Sequence, residues 1–174
     1  MALALTCLGG SLPAAEDASF EYKLKAGFLF NFAKFVQWPS KVLPAADSPI
    51  TIGVFEDDPA APVLQEVLAG DKRANGRPVT VKLLHTNSPP QGCHILFLGR
   101  SKKGASAEVL AQTRAEPILT VGEADHFAEH GGIINFVRKD ESFRFEVNLQ
   151  LAEQVGLKVS AKLASLATIV KSPQ

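Results

Sequence analysis

The sequence predicts an α/β three-layer sandwich: a mixed, mostly parallel sheet of about six strands, with a terminal hairpin and helices on both faces. Three observations lead to this prediction. Short apolar runs rich in β-branched residues, without strict alternation, are typical of strands buried on both faces. Helical segments alternate with these runs through most of the chain. Two strand-like runs then follow each other with only a short turn between them.

The most aromatic stretch is 24–39, which contains the only Trp and several of the eleven Phe residues. At about 100° per residue we expect a helix with one broad apolar face buried in the core. This expected face consists of Phe20, Leu24, Gly27, Phe28, Asn31, Phe32 and Phe35. Asn31 lies in its middle, so its amide is expected to be buried and hydrogen-bonded. Phe30 lies off this face, and Pro39 is expected to end the helix.

The remaining elements follow from periodicity, capping residues and glycines. Strands are predicted at 50–55, 79–84, 94–98 and 118–121, and the hairpin strands at 133–138 and 143–147. Helices are predicted at 60–69, 101–114, 149–155 and 161–170. Asp58-Pro59 suits the start of the first of these helices, while Asn148 and Ser160 suit the starts of the last two.

The bulk composition indicates one folded domain. The 174 residues are 46% hydrophobic and 21% charged, which argues against disorder. Lys+Arg and Asp+Glu both count 18, so the net charge is zero. A nucleic-acid-binding domain would normally show a basic excess or stripe, and none is visible. No apolar run approaches the roughly 20 residues that a membrane-spanning helix needs.

Residues 1–18 are predicted to be a secretory signal peptide, followed by a single domain at 19–174. The segment is apolar and rich in small residues, and it then turns polar. A positively charged n-region is missing, so we expect the true start codon to lie upstream of Met1. The alternative is a buried N-terminal helix, which Gly9-Gly10 and Pro13 would break.

Cysteine content limits redox chemistry. Cys7 falls within the predicted signal peptide, where it is lost on cleavage or lipidated, although the residues before it fit a lipoprotein box poorly. Cys93 is then the only thiol of the mature chain, and no internal disulfide is expected. A buried small hydrophobe beside a strand is the preferred interpretation of Cys93.

The segment 126–130 matches the H-x-x-E-H pattern of a metalloprotease class, in which His126 and His130 would bind zinc and Glu129 would act as base. That chemistry needs a sustained helix, and Gly131-Gly132 interrupts it at once. A surface turn with two solvated histidines is the preferred interpretation.

Four carboxylates are predicted to lie near the carboxyl edge of the sheet, where open α/β sheets bind ligands. Asp57 and Asp58 follow the first central strand, and Glu123 and Asp125 follow the fourth. They could hold a divalent cation or a small ligand. Helix capping by Asp58 and Asp125 is the alternative.

Motifs for nucleotide binding or nucleophilic catalysis are missing from the sequence. Neither G-x-G-x-x-G after a strand nor a phosphate loop is found, and the nearest feature is a basic turn at 99–104. No nucleophile elbow is visible. The sequence therefore predicts neither an enzyme nor a bound cofactor.

Several separated stretches together resemble the YfiR family. The first reads KAGFLFNFAKFVQWP, at 25–39. The others are 93–98, 119–121, 127–128, 131–136, 143–148 and 156–163. The resemblance covers about 22–170, and it is specific only when these stretches are taken together.

The resemblance implies a non-catalytic periplasmic regulator. Such a protein binds the periplasmic sensor region of an inner-membrane diguanylate cyclase and holds the cyclase inactive. Release raises cyclic-di-GMP and favours biofilm formation. The resemblance also implies a homodimer. Some family members carry disulfides, and this chain departs from them because Cys93 has no partner.

The candidate anchors for the membrane partner are Leu29, Phe30, Trp38 and Pro39, because aromatic side chains dominate interface energetics. The alternative is that these residues belong to the core or to a dimer contact. Two other functions stay open. One is a periplasmic small-molecule or metal sensor at the carboxyl edge of the sheet, and the other is a metal-dependent hydrolase using the histidines at 126 and 130.

Overall fold

The computed structural model describes residues 13–86, 88–139 and 142–173, so most of the predicted signal segment lies outside the described residues. The helices are α1 (Pro13–Phe35), α2 (Ala60–Val67), a 3₁₀ helix (Arg100–Ala105), α3 (Ser106–Thr113), α4 (Leu149–Gln154) and α5 (Ala161–Ala164). The strands are β1 (Val36–Gln37), β2 (Ile50–Phe55), β3 (Arg73–Ala74), β4 (Arg77–Leu84), β5 (Ile95–Leu98), β6 (Leu119–Gly122), β7 (Ile134–Lys139), β8 (Ser142–Val147), β9 (Lys158–Val159) and β10 (Thr168–Ile169).

The main sheet has the strand order β10-β8-β7-β6-β5-β2-β4-β3. Strands β4, β2, β5, β6 and β7 are parallel to one another, and β7 and β8 form the predicted antiparallel hairpin. The edge strand β3 pairs antiparallel with β4, and β10 pairs parallel with β8. The mixed α/β sandwich is therefore confirmed. The sheet has eight strands rather than about six, because β3 and β10 are two-residue edge strands too short to show a sequence pattern.

Side chains of the central strands alternate between two cores. On β5, Ile95 and Phe97 pack on the face covered by α1 and α2, while Leu96 and Leu98 pack on the face covered by α3. The central strands β2, β5 and β6 are thus buried on both sides, as their continuous apolar sequences predict, whereas β4 is largely exposed on one face. The hairpin contributes to the α1 face through an aromatic cluster, in which the ring centroids of Phe32 and Phe145 are 5.4 Å apart.

The predicted orientation of α1 is wrong. Its buried face consists of Glu21, Tyr22, Lys25, Ala26, Leu29, Phe32 and Ala33. Phe32 belongs to both the expected and the observed face, whereas Asn31 is exposed and Phe20 is 69% exposed. Phe20 and Leu24 lie on the outer side of the helix, while Phe28 and Phe35 lie at the edges of the buried face and still pack in part against the core. None of the helices in the described ranges is long and apolar enough to cross a membrane.

The end of α1 also differs from the prediction. The helix stops at Phe35 rather than at Pro39, because the next two residues form β1 and pair with β9. The backbone carbonyl of Phe35 accepts a hydrogen bond from the amide of Ser160, at 2.9 Å. A contact with a segment more than a hundred residues later therefore ends the helix.

Two other helices are shorter than predicted. The segment 101–114 splits into the 3₁₀ helix and α3, and 161–170 contains only α5 before the edge strand β10. The predicted caps of the last two helices are confirmed. The Asn148 side chain accepts from the Leu151 amide at 3.0 Å, and Ser160 accepts from Leu163 at 3.2 Å.

Replacing Leu29 by Ala should destabilise the protein by about 2–5 kcal/mol, because this side chain is fully buried and the change leaves a cavity. Leu24→Ala, one turn away on the outer side, should cost less than about 1 kcal/mol. Urea unfolding of the two variants measures both values. Equal losses in the free energy of unfolding would show that Leu29 is no more buried than Leu24 and that α1 packs on the sheet through a different face.

Candidate functional site

A buried lysine connects α1 to the carboxyl edge of the sheet. Lys25 is 2% exposed, and its ammonium group pairs with the carboxylates of Glu21 and Glu123. The Arg100 guanidinium donates to both oxygens of Glu21, at 2.9 and 3.0 Å. Burial acts to raise the pKa of Glu21, but pairing with Lys25 and Arg100 outweighs it and holds the pKa below its ordinary value.

A cavity of about 440 Å³ lies beside these ion pairs, and we call it the α1 cavity. It is bounded by α1, the 3₁₀ helix, the segment after β6, and strands β7 and β8. Glu123 and Asn135 line it, and Oε1 of Glu123 and Oδ1 of Asn135 are buried atoms without a hydrogen-bond partner within the described part of the chain. Asn135 is 2% exposed, and its amide nitrogen donates to Glu146 at 3.2 Å.

The four predicted carboxylates do not come together. Glu123 and Asp125 line the α1 cavity, with Asp125 exposed. Asp57 pairs with the buried Lys102 at 3.1 Å, and Asp58 is buried elsewhere. Among the described residues, no group of three His, Cys, Asp or Glu side chains could hold a metal ion.

Asp58 joins the ends of two neighbouring strands, β2 and β5. Its carboxylate accepts from the amide of Ala60 at 2.9 Å, and from the amide and hydroxyl of Ser101 at 3.0 and 2.8 Å. A Cβ at Gly99 would lie only 2.5 Å from an Asp58 oxygen. The Asp58 carboxylate therefore holds the first amide of α2, although the N-cap position falls on Pro59 rather than on Asp58 as predicted. It also fixes the 3₁₀ helix, which leaves this carboxylate no room for a ligand.

The histidine motif lies in a series of turns rather than on a helix. His126 has a positive φ of 56°, and its Nδ1 is 2.9 Å from a carboxylate oxygen of Glu129. Both His126 and His130 are exposed. The sustained helix that would place two imidazoles on one face is thus missing from this segment.

The expectation that Leu29 belongs to an exposed patch is wrong, since this residue is fully buried against the sheet. Phe30 is half-buried, with the Lys34 ammonium 4.4 Å from its ring centroid. Trp38 is also half-buried, and its indole N–H donates to the carbonyl of His94 at 3.1 Å. Pro39 follows it at intermediate exposure.

A different apolar surface lies on the outward side of α1. Its exposed residues are Phe20 and Leu24, and we call this surface the outer face of α1. The rings of Phe28 and Phe35 lie at its edges and pack in part against the core. Phe20 is 69% and Leu24 is 37% exposed, while the two other rings are half-buried. Exposed apolar patches on a folded domain mark sites of interaction.

His94 connects the loop after β1 to the sheet at the opposite, amino edge. Its Nδ1 accepts from the Thr51 amide at 3.0 Å, so Nε2 carries the proton and donates to the Val42 carbonyl at 3.2 Å. Burial lowers the pKa of His94, assisted by the charge of Arg77 and partly opposed by the Val42 carbonyl. The neighbouring Cys93 is buried and free within the described ranges, and burial raises the pKa of its thiol.

Sequence reasoning identified Glu123 but missed its buried partner Lys25, the paired Glu21 and the buried Asn135. The sequence gives no reason to distinguish Lys25 from Lys23 and Lys34, and Asn135 falls within a predicted strand. The i, i+4 spacing of Glu21 and Lys25 was the available signal, since such pairs meet on a helix surface. That signal does not reveal burial, because the second carboxylate comes from 98 residues away.

Comparison with known proteins identifies one family. A family model described as YfiR/HmsC-like matches residues 22–168. The match extends from the middle of α1 into β10 and so includes nearly all of the sheet. None of the curated proteins compared with the chain matches it.

Lys25→Met should destabilise the protein by about 3–5 kcal/mol, because it leaves the buried Glu123 carboxylate without its cation. Lys23→Met is the matched control, since Lys23 is an exposed lysine on the same helix. Adding Glu123→Leu to Lys25→Met should recover part of the loss. Denaturant unfolding measures the three changes, and similar values for Lys25 and Lys23 would contradict a structural role for the buried pair.

Stability should fall on acidification through the titration of His94. Because its pKa is lowered in the folded state, the unfolded chain binds the proton more tightly. The His94 contribution is therefore complete above the ordinary value of about 6.5 and is lost as the pH falls below it towards the folded-state value. His94→Asn keeps an acceptor for Thr51 but does not titrate, so its unfolding profile should be flatter. If stability depends on pH in the same way in the wild-type protein and in His94→Asn, titration of His94 does not cause the loss of stability.

Proposed function

The chain belongs to the YfiR/HmsC-like family, and on this basis we propose that it is a periplasmic regulator that restrains an inner-membrane signalling protein. The partner is the periplasmic sensor region of a diguanylate cyclase. Binding keeps the cyclase inactive, and release raises cyclic-di-GMP and favours biofilm formation. The family fits a periplasmic regulator and is generally non-catalytic.

The observation that carries this proposal is the outer face of α1. Phe20 and Leu24 expose apolar surface on a rigid helix, next to the half-buried rings of Phe28 and Phe35. Aromatic anchors on a regular element lose little conformational entropy on binding, and they supply most of the energy of many interfaces. An exposed helix face of this kind suits a groove or a helix of the sensor region.

Phe30, Trp38 and Pro39 form a second part of the proposed contact surface. Phe30 lies within α1, Trp38 and Pro39 follow the helix, and each is half-buried. Trp38 already uses its indole N–H within the protein, and the Phe30 ring already contacts Lys34. We therefore assign them a supporting role and place the main anchors at Phe20 and Leu24.

The proposal includes a homodimer, in agreement with the family resemblance. The partner and a second copy of the chain would compete if both used the outer face of α1. Catalysis is not part of the proposal, because His126, Glu129 and His130 lie on turns rather than on one helix face. The alternative role as a small-molecule sensor concerns the α1 cavity, which lies on another side of the helix.

Phe20→Asp and Leu24→Asp should each weaken binding to the purified periplasmic domain of a diguanylate cyclase by about tenfold or more. A buried carboxylate at an apolar contact is costly, whereas both positions are too exposed for the fold to suffer. Calorimetric titration measures the affinity, and thermal melting verifies folding. Leu83→Asp is the matched control, because Leu83 is an exposed leucine on β4.

Three outcomes would contradict this assignment. Unchanged affinity of both variants, with loss in Phe30→Ala or Trp38→Ala, would move the contact to the second surface. Equal loss in Leu83→Asp would show a nonspecific effect of charge. If sedimentation shows that Phe20→Asp separates a dimer while cyclase binding is unchanged, the outer face of α1 is a dimer contact.

A further inference from the structure

A short segment between β1 and β2 is attached to the main sheet through one residue. It comprises residues 38–42, none of which is buried, and we call it the 38–42 segment. Within the described ranges its hydrogen bonds to the main sheet go only to His94. The Trp38 indole donates to the His94 carbonyl at 3.1 Å, and the Val42 carbonyl lies 3.2 Å from Nε2 of the imidazole. A segment with so few buried contacts opens at a low cost in free energy.

The His94 imidazole can hold this segment only in its neutral form. Its Nδ1 accepts from the Thr51 amide at 3.0 Å, so the single proton of the neutral ring is on Nε2 and is donated to Val42. A second proton would have to bind at Nδ1, where it would point at the Thr51 N–H. Thr51 cannot move aside, because it lies within β2 in register with Thr80 of β4. The charged imidazole must therefore turn away, which also withdraws the donor from Val42.

The charges near His94 also favour the neutral imidazole. The titratable groups on the elements around it are Arg77 and Lys82 on β4, Cys93 beside it, Glu116 before β6, and Lys41 on the segment itself. Burial lowers the pKa of His94, the Arg77 charge lowers it further, and the Val42 carbonyl opposes them only in part. Glu116 is exposed, so water and salt screen its attraction. The histidine ion pairs of the described ranges involve His85 and His126, which leaves His94 without a carboxylate.

We propose that His94 is an acid-sensitive latch. Protonation of its imidazole breaks the hydrogen bonds of both ring nitrogens and releases the 38–42 segment, while the rest of the domain stays folded. The release stops at Leu43, because this side chain is buried and Arg77 donates to three carbonyls between residues 43 and 48. Loss of the proton at neutral pH restores both hydrogen bonds, so the change is reversible.

The 38–42 segment contains two residues of the proposed contact surface, Trp38 and Pro39. Acid would therefore also change the second part of that surface, and this consequence alone rests on the proposed function. The latch itself is a property of the protein without a partner, and it is tested without one.

The chain carries its own probe of the latch, because Trp38 is its only tryptophan. The emission of the purified protein is followed between about pH 7.5 and about pH 4.5, together with the imidazole proton signals of His94 in NMR spectra. The Trp38 emission should shift to longer wavelength in one reversible step. Its midpoint should coincide with that of the His94 signals and lie below the ordinary histidine pKa of about 6.5. Circular dichroism should stay constant through that step.

Amide hydrogen exchange locates the opening. The Thr51 amide has His94 as its acceptor, so its exchange relative to the intrinsic rate should rise about tenfold or more on the acid side of the step. The Leu96 amide should keep its protection, because Leu96 lies fully buried on the central strand β5. The two amides together distinguish release of a segment from unfolding of the sheet.

His94→Asn and His85→Asn are the matched variants. Asn at position 94 keeps an acceptor but cannot be protonated, so the acid step in Trp38 emission should disappear. His85 is an exposed histidine paired with Glu56 at 2.8 Å, and its replacement should leave the step unchanged. If His94→Asn does not fold, the comparison of the Trp38 midpoint with the His94 signals in the wild-type protein decides.

The inference is overturned if Trp38 emission does not change while His94 titrates, or if its midpoint follows another histidine. It is also overturned if the step persists in His94→Asn or is lost in His85→Asn. A loss of circular dichroism or faster exchange at Leu96 within the same step would show global unfolding and would likewise exclude the latch. Because no cyclase is present, these outcomes leave the proposed partner binding to its own test.

Discussion

The ion pairs of the Lys25 ammonium determine how α1 lies on the sheet. A buried lysine is tolerated only when carboxylates compensate its charge, and here one comes from the same helix and one from the segment after β6. Rotating the helix to bury its outer apolar residues would separate Lys25 from Glu123 and leave a buried carboxylate alone. The ion pair therefore selects one of two apolar faces for the core.

The face of α1 that is buried determines the position of both the outer face of α1 and the α1 cavity. The outer face of α1 keeps Phe20 and Leu24 in contact with solvent, where a partner can bind them. On the other side of the helix, the carboxylates that hold Lys25 also line the α1 cavity. One helix thus separates the proposed protein-binding surface from a candidate small-molecule site, and the two can be tested independently.

The α1 cavity does not lie at the position where open α/β sheets usually bind ligands. The chain reverses its direction across the sheet between β2 and β5, and ligands commonly bind at such a crevice. Here the Asp58 carboxylate fills that crevice and links the backbone of α2 to Ser101. The open space lies farther along the same edge, where β7 and β8 extend beyond the end of β6.

The sequence by itself determined the order of helices and strands, the hairpin, and caps such as Asn148 and Ser160, because these depend on residues a few positions apart. Tertiary structure alone decided that Leu29 is buried and Asn31 exposed, and that Lys25 and Asn135 meet at one cavity. Periodicity identified apolar positions on α1 but could not choose between its two faces. That choice rests on Glu123, whose place beside the helix is set only when β6 pairs within the folded sheet.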